Sequence, residues 1–208
     1  MASRGKFMTL EGIEGVGKTT AVGAAAQSVR DCGHDVVTTR EPGGTQTGEA
    51  IRSLMLDVSG AAIHPTTELL MMFAARAQHL SEVIEPALQR GSWVVCDRFT
   101  DASYAYQGGG RGLEKTLIAA AENIVHPKMQ PDLTLLLDAD PETALGRVRT
   151  RGEADRFERE TVEFFRRVRE AYLERAKADT GRFAIIDATQ AMETVHQQIS
   201  TCISERLK

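Results

Sequence analysis

Residues 12–19 read Gly12-Ile13-Glu14-Gly15-Val16-Gly17-Lys18-Thr19. This is a complete G-x-x-x-x-G-K-[ST], whose glycines let the backbone curl until successive N–H groups point inward at an anion. A helix beginning where such a loop ends adds its positive N-terminal end at the same place. The flanks supply both neighbours, because residues 6–10 form a short apolar run of strand type and residues 19–30 show helical spacing. Lys18 is then placed to reach the β and γ phosphates of a nucleotide, and the Thr19 hydroxyl to ligate Mg²⁺. Glu14 is the odd member. A carboxylate inside a phosphate cradle repels its ligand unless a metal, a water or a sugar hydroxyl intervenes, which suggests an acceptor substrate close by.

Outward from the cradle the same alternation repeats. Four further runs rich in β-branched or aliphatic residues lie at 36–39, 93–96, 133–137 and 183–186. They are near-continuous rather than alternating, as suits strands buried on both faces of a parallel sheet. Between them, residues 67–89, 114–123, 143–151 and 162–177 carry helical spacing. The expected fold is therefore α/β, a three-layer P-loop fold with five parallel strands flanked by helices. Loops are marked by Glu41-Pro42-Gly43-Gly44, by Gly108-Gly109-Gly110-Arg111-Gly112 and by His126-Pro127. Asp140-Pro141-Glu142 reads as a helix N-cap with proline at the first helical position.

With 208 residues, 42% apolar and 26% charged, the chain fits one globular domain, and no repeat or linker divides it. Lys and Arg number 25 against 29 Asp and Glu, so no positive excess advertises a grip on polymeric nucleic acid. Three scattered cysteines, Cys32, Cys96 and Cys202, form neither a disulfide framework nor a metal spacing, which points to a reducing, cytoplasmic setting. No apolar stretch approaches the roughly 18 residues that a membrane span requires. The five histidines show no metal-like grouping and are assigned no chemistry.

A nucleotide site of this kind also needs an acid at the end of a buried strand to hold Mg²⁺ or its water shell. Asp97 and Asp138 both end such runs. Asp97 is favoured because Arg98 follows it at once, placing a fork of donors beside the cradle as an oxyanion clamp. Asp138 is expected to be a loop or helix-capping carboxylate.

Eight arginines, Arg147, Arg149, Arg151, Arg156, Arg159, Arg166, Arg167 and Arg169, crowd into one segment against five acids. From Arg159 onward the expected state is a solvated helix face with i,i+4 pairs to neighbouring glutamates. Gly152 breaks the helical pattern between Arg151 and Arg156, which predicts a short cationic lid over residues 147–160 that closes on phosphates. A guanine-reading Asn-Lys-x-Asp and a Leu-Ser-Gly-Gly-Gln signature are both missing, so regulatory GTPases and transporter-type ATPases are set aside. What remains is a kinase for a small metabolite, with a nucleotide-binding regulator as the rival from another class.

Along nearly its full length the chain resembles the bacterial thymidylate kinases. The matching segments are Leu10-Glu11-Gly12-Ile13-Glu14-Gly15, Thr39-Arg40-Glu41-Pro42-Gly43-Gly44-Thr45, Phe73-Ala74-Ala75-Arg76, Asp97-Arg98-Phe99-Thr100-Asp101, Tyr104-Ala105-Tyr106-Gln107-Gly108 and Ile186-Asp187-Ala188-Thr189-Gln190. The resemblance implies a five-stranded nucleoside monophosphate kinase fold, usually dimeric, that makes dTDP from dTMP with Mg²⁺ and ATP as a step toward dTTP. ATP would then sit over Gly12, Ile13, Glu14, Gly15, Val16, Gly17, Lys18, Thr19 and Thr20, with Thr19 and Asp97 on the metal. Arg52 and Arg98 would hold the acceptor phosphate, with Arg40 and Glu14 nearby. Arg76, Ser103 and Gln107 would hydrogen-bond the thymine edge, and either Met72 or Phe73 would cover its face. Tyr106 would lie against the deoxyribose where a 2′-hydroxyl would clash. The cradle has no basic residue among Ile13, Glu14, Gly15 and Val16. In the family that pattern goes with a catalytic arginine in the lid, for which Arg147, Arg149, Arg151 and Arg156 are the candidates. A kinase for another nucleoside monophosphate is the nearest alternative.

Overall fold

The computed structural model describes residues 4–148 and 155–206. Five strands, β1 (Phe7–Glu11), β2 (Val36–Arg40), β3 (Trp93–Asp97), β4 (Leu133–Asp138) and β5 (Phe183–Asp187), form one parallel sheet in the order β2-β3-β1-β4-β5. Each begins within one residue of the run that predicted it. All five residues of β1 are buried, as expected of a central strand covered on both sides. Alternate residues of a strand point to opposite faces. Phe7, Val94 and Cys96 accordingly pack with Leu80, Ile84 and Leu88 on one side, while Met8, Leu10 and Val95 pack with Ala21, Ala25 and Val29 on the other.

Nine α-helices lie among the described residues: α1 (Lys18–Asp31), α2 (Gln46–Leu56), α3 (Pro65–His79), α4 (Glu85–Gln89), α5 (Thr100–Ser103), α6 (Lys115–Val125), α7 (Pro141–Val148), α8 (Val162–Ala178) and α9 (Met192–Arg206). The predicted helix over 67–89 is α3 and α4 joined by a π-helical stretch, Leu80–Ile84. Pro86 in the first turn of α4 has no N–H to donate back along the helix, and the wider turn ends just before it, with the Glu85 N–H on the Leu80 carbonyl. Asp140 caps α7 as expected, accepting from the Glu142 N–H at 2.9 Å.

Three helices have no counterpart among the predicted ones, the single-turn α5 among them. Gly44, Thr45 and Gly48 disguise the start of α2 as a turn, yet Thr45 is its N-cap, accepting from Gly48 N–H at 3.0 Å. The amphipathic signal of α9 is weak, and the helix is held by packing of Val195, Ile199 and Ile203 into the core.

The glycine run at 108–112 is not simply a loop. Tyr104–Gly110 is π-helical and continues α5 directly. It presses so closely on α8 that a Cβ on Gly110 would stand 2.5 Å from the Phe164 ring. Glycine occurs there to permit helix contact rather than to break the chain.

Candidate active site

The cradle lies at the carboxyl ends of β1 and β3, where chain order reverses within the sheet and open α/β folds gather ligands. Gly12 follows β1 at φ 140°, and a Cβ there would meet the Leu137 carbonyl oxygen at 2.4 Å, so only glycine lets the loop pass β4 this closely. The loop turns into α1, whose first residue is Lys18. Lys18 is 7% exposed, and its Nζ donates to the carbonyls of Ile13 at 2.8 Å and Gly12 at 3.2 Å. Burial and the nearby Arg98 push its pKa below the usual lysine range, with Glu14, Asp97 and Glu11 pulling it back up. A single cavity is lined by Glu14, Gly15, Gly17, Lys18, Thr19, Arg40, Arg52, Met72, Asp97, Arg98, Tyr106 and Gln107. Residues predicted from stretches as far apart as 14 and 107 thus share one wall.

Asp97 ends β3 opposite Leu10, and its Oδ1 is buried with no hydrogen-bond partner among the described residues. An unpaired carboxylate oxygen and the Thr19 hydroxyl, lining one cavity with Lys18, are the chemistry Mg²⁺ takes from protein when phosphates supply its remaining oxygens. These residues fit the ion. Asp138, by contrast, neither lines the cavity nor caps a helix through its side chain. It forms a two-pronged pair with Arg169 at 2.7 and 2.8 Å, because α8 crosses the end of β4.

Arg98 is the one described non-glycine residue with a left-handed backbone, at φ 71°. Such a conformation costs of order 1–3 kcal/mol and persists only where surroundings impose it. Three contacts impose it here. Its own N–H bonds the Leu10 carbonyl at 3.0 Å, the next N–H, of Phe99, bonds Glu11 Oε1 at 2.7 Å, and Nη1 bonds the Gly12 carbonyl at 2.9 Å. The turned backbone aims the guanidinium at the cradle. Nη2 meets Glu14 Oε1 at 2.7 Å and the Tyr106 hydroxyl at 2.9 Å, and Nη1 meets the Tyr172 hydroxyl at 3.1 Å.

This arrangement explains the anomalous carboxylate. Burial alone would raise the Glu14 pKa, but Arg98, Lys18 at 3.7 Å and the Tyr106 hydroxyl together lower it to about 2. Glu14 is therefore an anion whose charge is already taken up by two cations, and its bond to Nη2 orients the Arg98 guanidinium.

Glu11 and Tyr172 were not singled out from the sequence. Glu11 is wholly buried, and Tyr172 donates to its Oε2 at 2.7 Å across 161 residues. Burial, then the charge of Asp101, raises the Glu11 pKa to about 8 against the opposing pull of Arg98, Tyr172 and the Phe99 N–H. The folded protein thus retains a proton that the unfolded chain gives up near pH 4.5, so this group makes stability fall as pH climbs from about 4.5 to 8. Glu11→Gln, which has no proton to lose, is expected to flatten the decline. Thermal midpoints of both proteins at unit steps from pH 5 to 9 check it, and parallel curves would refute it.

Other predicted residues fall into two groups. Arg40, half exposed, pairs with Glu49 at 2.8 Å, and Arg52 Nη1 donates to the Pro42 carbonyl at 3.0 Å; both line the cavity. Met72 lines it too, whereas Phe73 turns from it into a cluster with Leu69 and Ile118. Arg76 and Ser103 lie fully buried outside the lining. Arg76 bonds Glu41, Ser103 and the Phe99 carbonyl at 2.7, 3.2 and 3.1 Å, with its guanidinium 4.5 Å from the Phe73 ring centroid.

The two described lid candidates bond to groups outside the cradle. Arg147 donates to the Ala188 carbonyl at 3.1 Å. Arg156 turns away to the Met55 carbonyl at 2.6 Å and Glu68 at 2.7 Å, drawn by a carboxylate with no exposure to water. Arg149 and Arg151 lie outside the described residues. Past Arg159, Arg166 pairs with Glu163 one turn back on α8, and other contacts reach between elements: Arg166 to Glu142 on α7, and Arg167 to the Gly109 and Gly110 carbonyls.

A parallel five-stranded sheet with a Gly12–Thr19 phosphate loop, a strand-end Asp97 and an arginine clamp defines a P-loop kinase that acts on a small phosphorylated acceptor. The thymidylate kinase family profile matches residues 10–199. The thymidylate kinase of Chromohalobacter salexigens is 57% identical over 205 residues, covering 98% of this chain and 97% of that one. That of Bordetella pertussis is 51% identical, covering 99% and 97%. The crystal structure of thymidylate kinase from Ehrlichia chaffeensis superposes with a TM-score of 0.79 at 31% identity, covering 96% of this chain and 99% of that one. The chain belongs to the thymidylate kinase family.

Proposed function

We propose that this chain transfers the γ-phosphoryl group of ATP, held with Mg²⁺, to dTMP. The chain phosphorylates dTMP to dTDP. The observation that carries the reading is the union of donor and acceptor machinery in one cavity: Lys18, Thr19 and Asp97 on one side, and Arg98, Arg52 and Gln107 on the other.

A monophosphate oxygen is already ionised at neutral pH, so no general base is needed and catalysis reduces to alignment, charge neutralisation and exclusion of water. The P-loop backbone binds the donor phosphates, and Lys18 neutralises charge on the group in transit. When bound, Mg²⁺ offsets further charge on the β and γ phosphates, from Thr19 and Asp97. Arg98, fixed by Glu14, holds the acceptor phosphate with Arg52, and Arg40 lies beside them. Met72 lies against the base, and Gln107 hydrogen-bonds its edge, backed by Ser103 and the N–H groups that Arg76 has left over from its three partners. Tyr106 occupies the space a 2′-hydroxyl would need. Residues 147–160 act as the lid, with Arg147, Arg149, Arg151 or Arg156 bringing a guanidinium to the phosphates on closure.

The chain acts as one domain and works in the cytoplasm. Among the described residues no helix is long and apolar enough to cross a membrane. Leu54 on α2, Leu70 on α3 and Leu117 and Ile124 on α6 are each at least half exposed, an apolar face that supports a homodimer. A coupled ADP-release assay across dTMP, dUMP, CMP, GMP and AMP tests the function. The expected outcome is rapid turnover with dTMP and little with the purine acceptors, and a different best acceptor would overturn the reading.

A further inference from the structure

Gln107 stands on the cavity wall with its nitrogen used and its oxygen unused. Nε2 donates to Glu68 Oε1 at 2.8 Å. Oε1 is buried and has no partner among the described residues. Such an acceptor is costly to leave unmade, and a donor arriving in the cavity repays the cost. The two ends of the amide cannot exchange places, because a carboxylate accepts and never donates. With Glu68 behind it, Gln107 must turn its NH₂ inward and keep its oxygen on the other side.

Glu68 is itself held fast. It has no exposure to water, and two guanidiniums face it: Arg156 Nη2 reaches Oε2 at 2.7 Å, and Arg111 reaches Oε1 through Nε and Oε2 through Nη2, each at 3.3 Å. Arg111 is pinned in turn by Glu160. The orientation of one amide at the cavity wall is therefore set by a buried carboxylate that does not line the cavity.

We infer that Glu68 is the positioning residue for base selectivity: by holding Gln107 as an acceptor, it makes the site take a pyrimidine whose N3 carries a proton and refuse one whose N3 is a lone pair. Thymine N3–H meets the Gln107 oxygen as donor to acceptor. Cytosine N3 would set two lone pairs against each other in a site closed to water, and such mismatches discriminate strongly. This rests on the reading that the base lies against Gln107.

The replacement Glu68→Gln makes the mechanism reversible. Its one carbonyl oxygen goes to the Oε2 position, where an NH₂ would face two guanidiniums, Arg156 at 2.7 Å and Arg111 at 3.3 Å, against the single Arg111 contact of 3.3 Å at Oε1. Its NH₂ then faces Gln107, which must flip and offer its own NH₂ to the cavity.

The test measures kcat/KM for dTMP and dCMP in the unchanged chain and in Glu68→Gln, Glu68→Asp and Gln107→Ala. For Glu68→Gln the dTMP to dCMP ratio should fall at least about tenfold, chiefly through a rise in KM for dTMP. Glu68→Asp still only accepts, so it should keep the ratio whatever happens to the overall rate. A merely structural role for Glu68 would lower both acceptors together, and an unchanged ratio in folded Glu68→Gln overturns the inference. Should that variant not fold, Glu68→Ala gives the same reading, because it frees the amide to turn. If Gln107→Ala leaves KM for dTMP unchanged, the base does not lie there, and both the placement and the inference fall. A raised KM in Gln107→Ala with an unchanged ratio in Glu68→Gln overturns the inference alone.

Discussion

Lys18→Ala is expected to turn over dTMP about a thousandfold more slowly, the scale seen when one preorganised charge-stabilising donor is removed from a site closed to water. The ammonium is already held at its post by the Gly12 and Ile13 carbonyls, so little reorganisation is needed when charge develops on the transferring group. Burial and Arg98 both act against the charged form of Lys18, a standing cost that makes sense where the cation is used in the reaction. Its removal also leaves Glu14 and Asp97 facing the phosphates with one cation fewer. The loss should appear in kcat more than in KM for either substrate, because the interaction strengthens as the γ phosphoryl moves. An ADP-release assay at saturating dTMP reads it, with far-UV circular dichroism to show that the variant is folded. Turnover within tenfold of the unchanged chain would contradict the role.

Arg98→Ala is expected to cost about a hundredfold or more in kcat/KM for dTMP, with KM rising and kcat falling together. Two effects combine. The acceptor phosphate loses a fork of charged donors, and Glu14 loses the nearer of its two cations, keeping only Lys18 at 3.7 Å, so it stands as a less compensated anion in the phosphate path. The second effect is separable, because Glu14→Gln in the Arg98→Ala background removes the repulsion and should restore part of the affinity for dTMP. Steady-state kinetics in dTMP for both variants checks this. An unchanged dTMP dependence in Arg98→Ala would refute the clamp, and no recovery in the double variant would refute the repulsion.

Much of the framework was legible in the residue order. All five strands and the phosphate loop appear as local patterns, since a buried parallel strand needs only a short apolar run and a phosphate loop only glycines and a lysine at fixed spacing. Asp97 and Arg98 were legible because they adjoin such a strand. The glycine run at 108–112 was misread, as the same residue that breaks a helix also lets two helices touch, and only the neighbour at Phe164 decides between them. The sequence left Met72 and Phe73 open because both lie on an apolar helix. The packing of α3 on α6 turns Phe73 inward and puts Met72 on the cavity.

The sequence by itself determined the class of chemistry: a nucleotide phosphate site on a parallel sheet, with an acid and an arginine at the strand end. The tertiary structure alone decided which charges meet. Glu14 finds Arg98 across 84 residues, Glu11 finds Tyr172 across 161, and Glu68 draws Arg156 away from the cradle across 88. The physical reason is range. Propensity and capping act within about one helical turn, so they are written in neighbouring residues. The pairing of buried charges is governed by desolvation, and a buried carboxylate takes whichever cation the fold brings within reach.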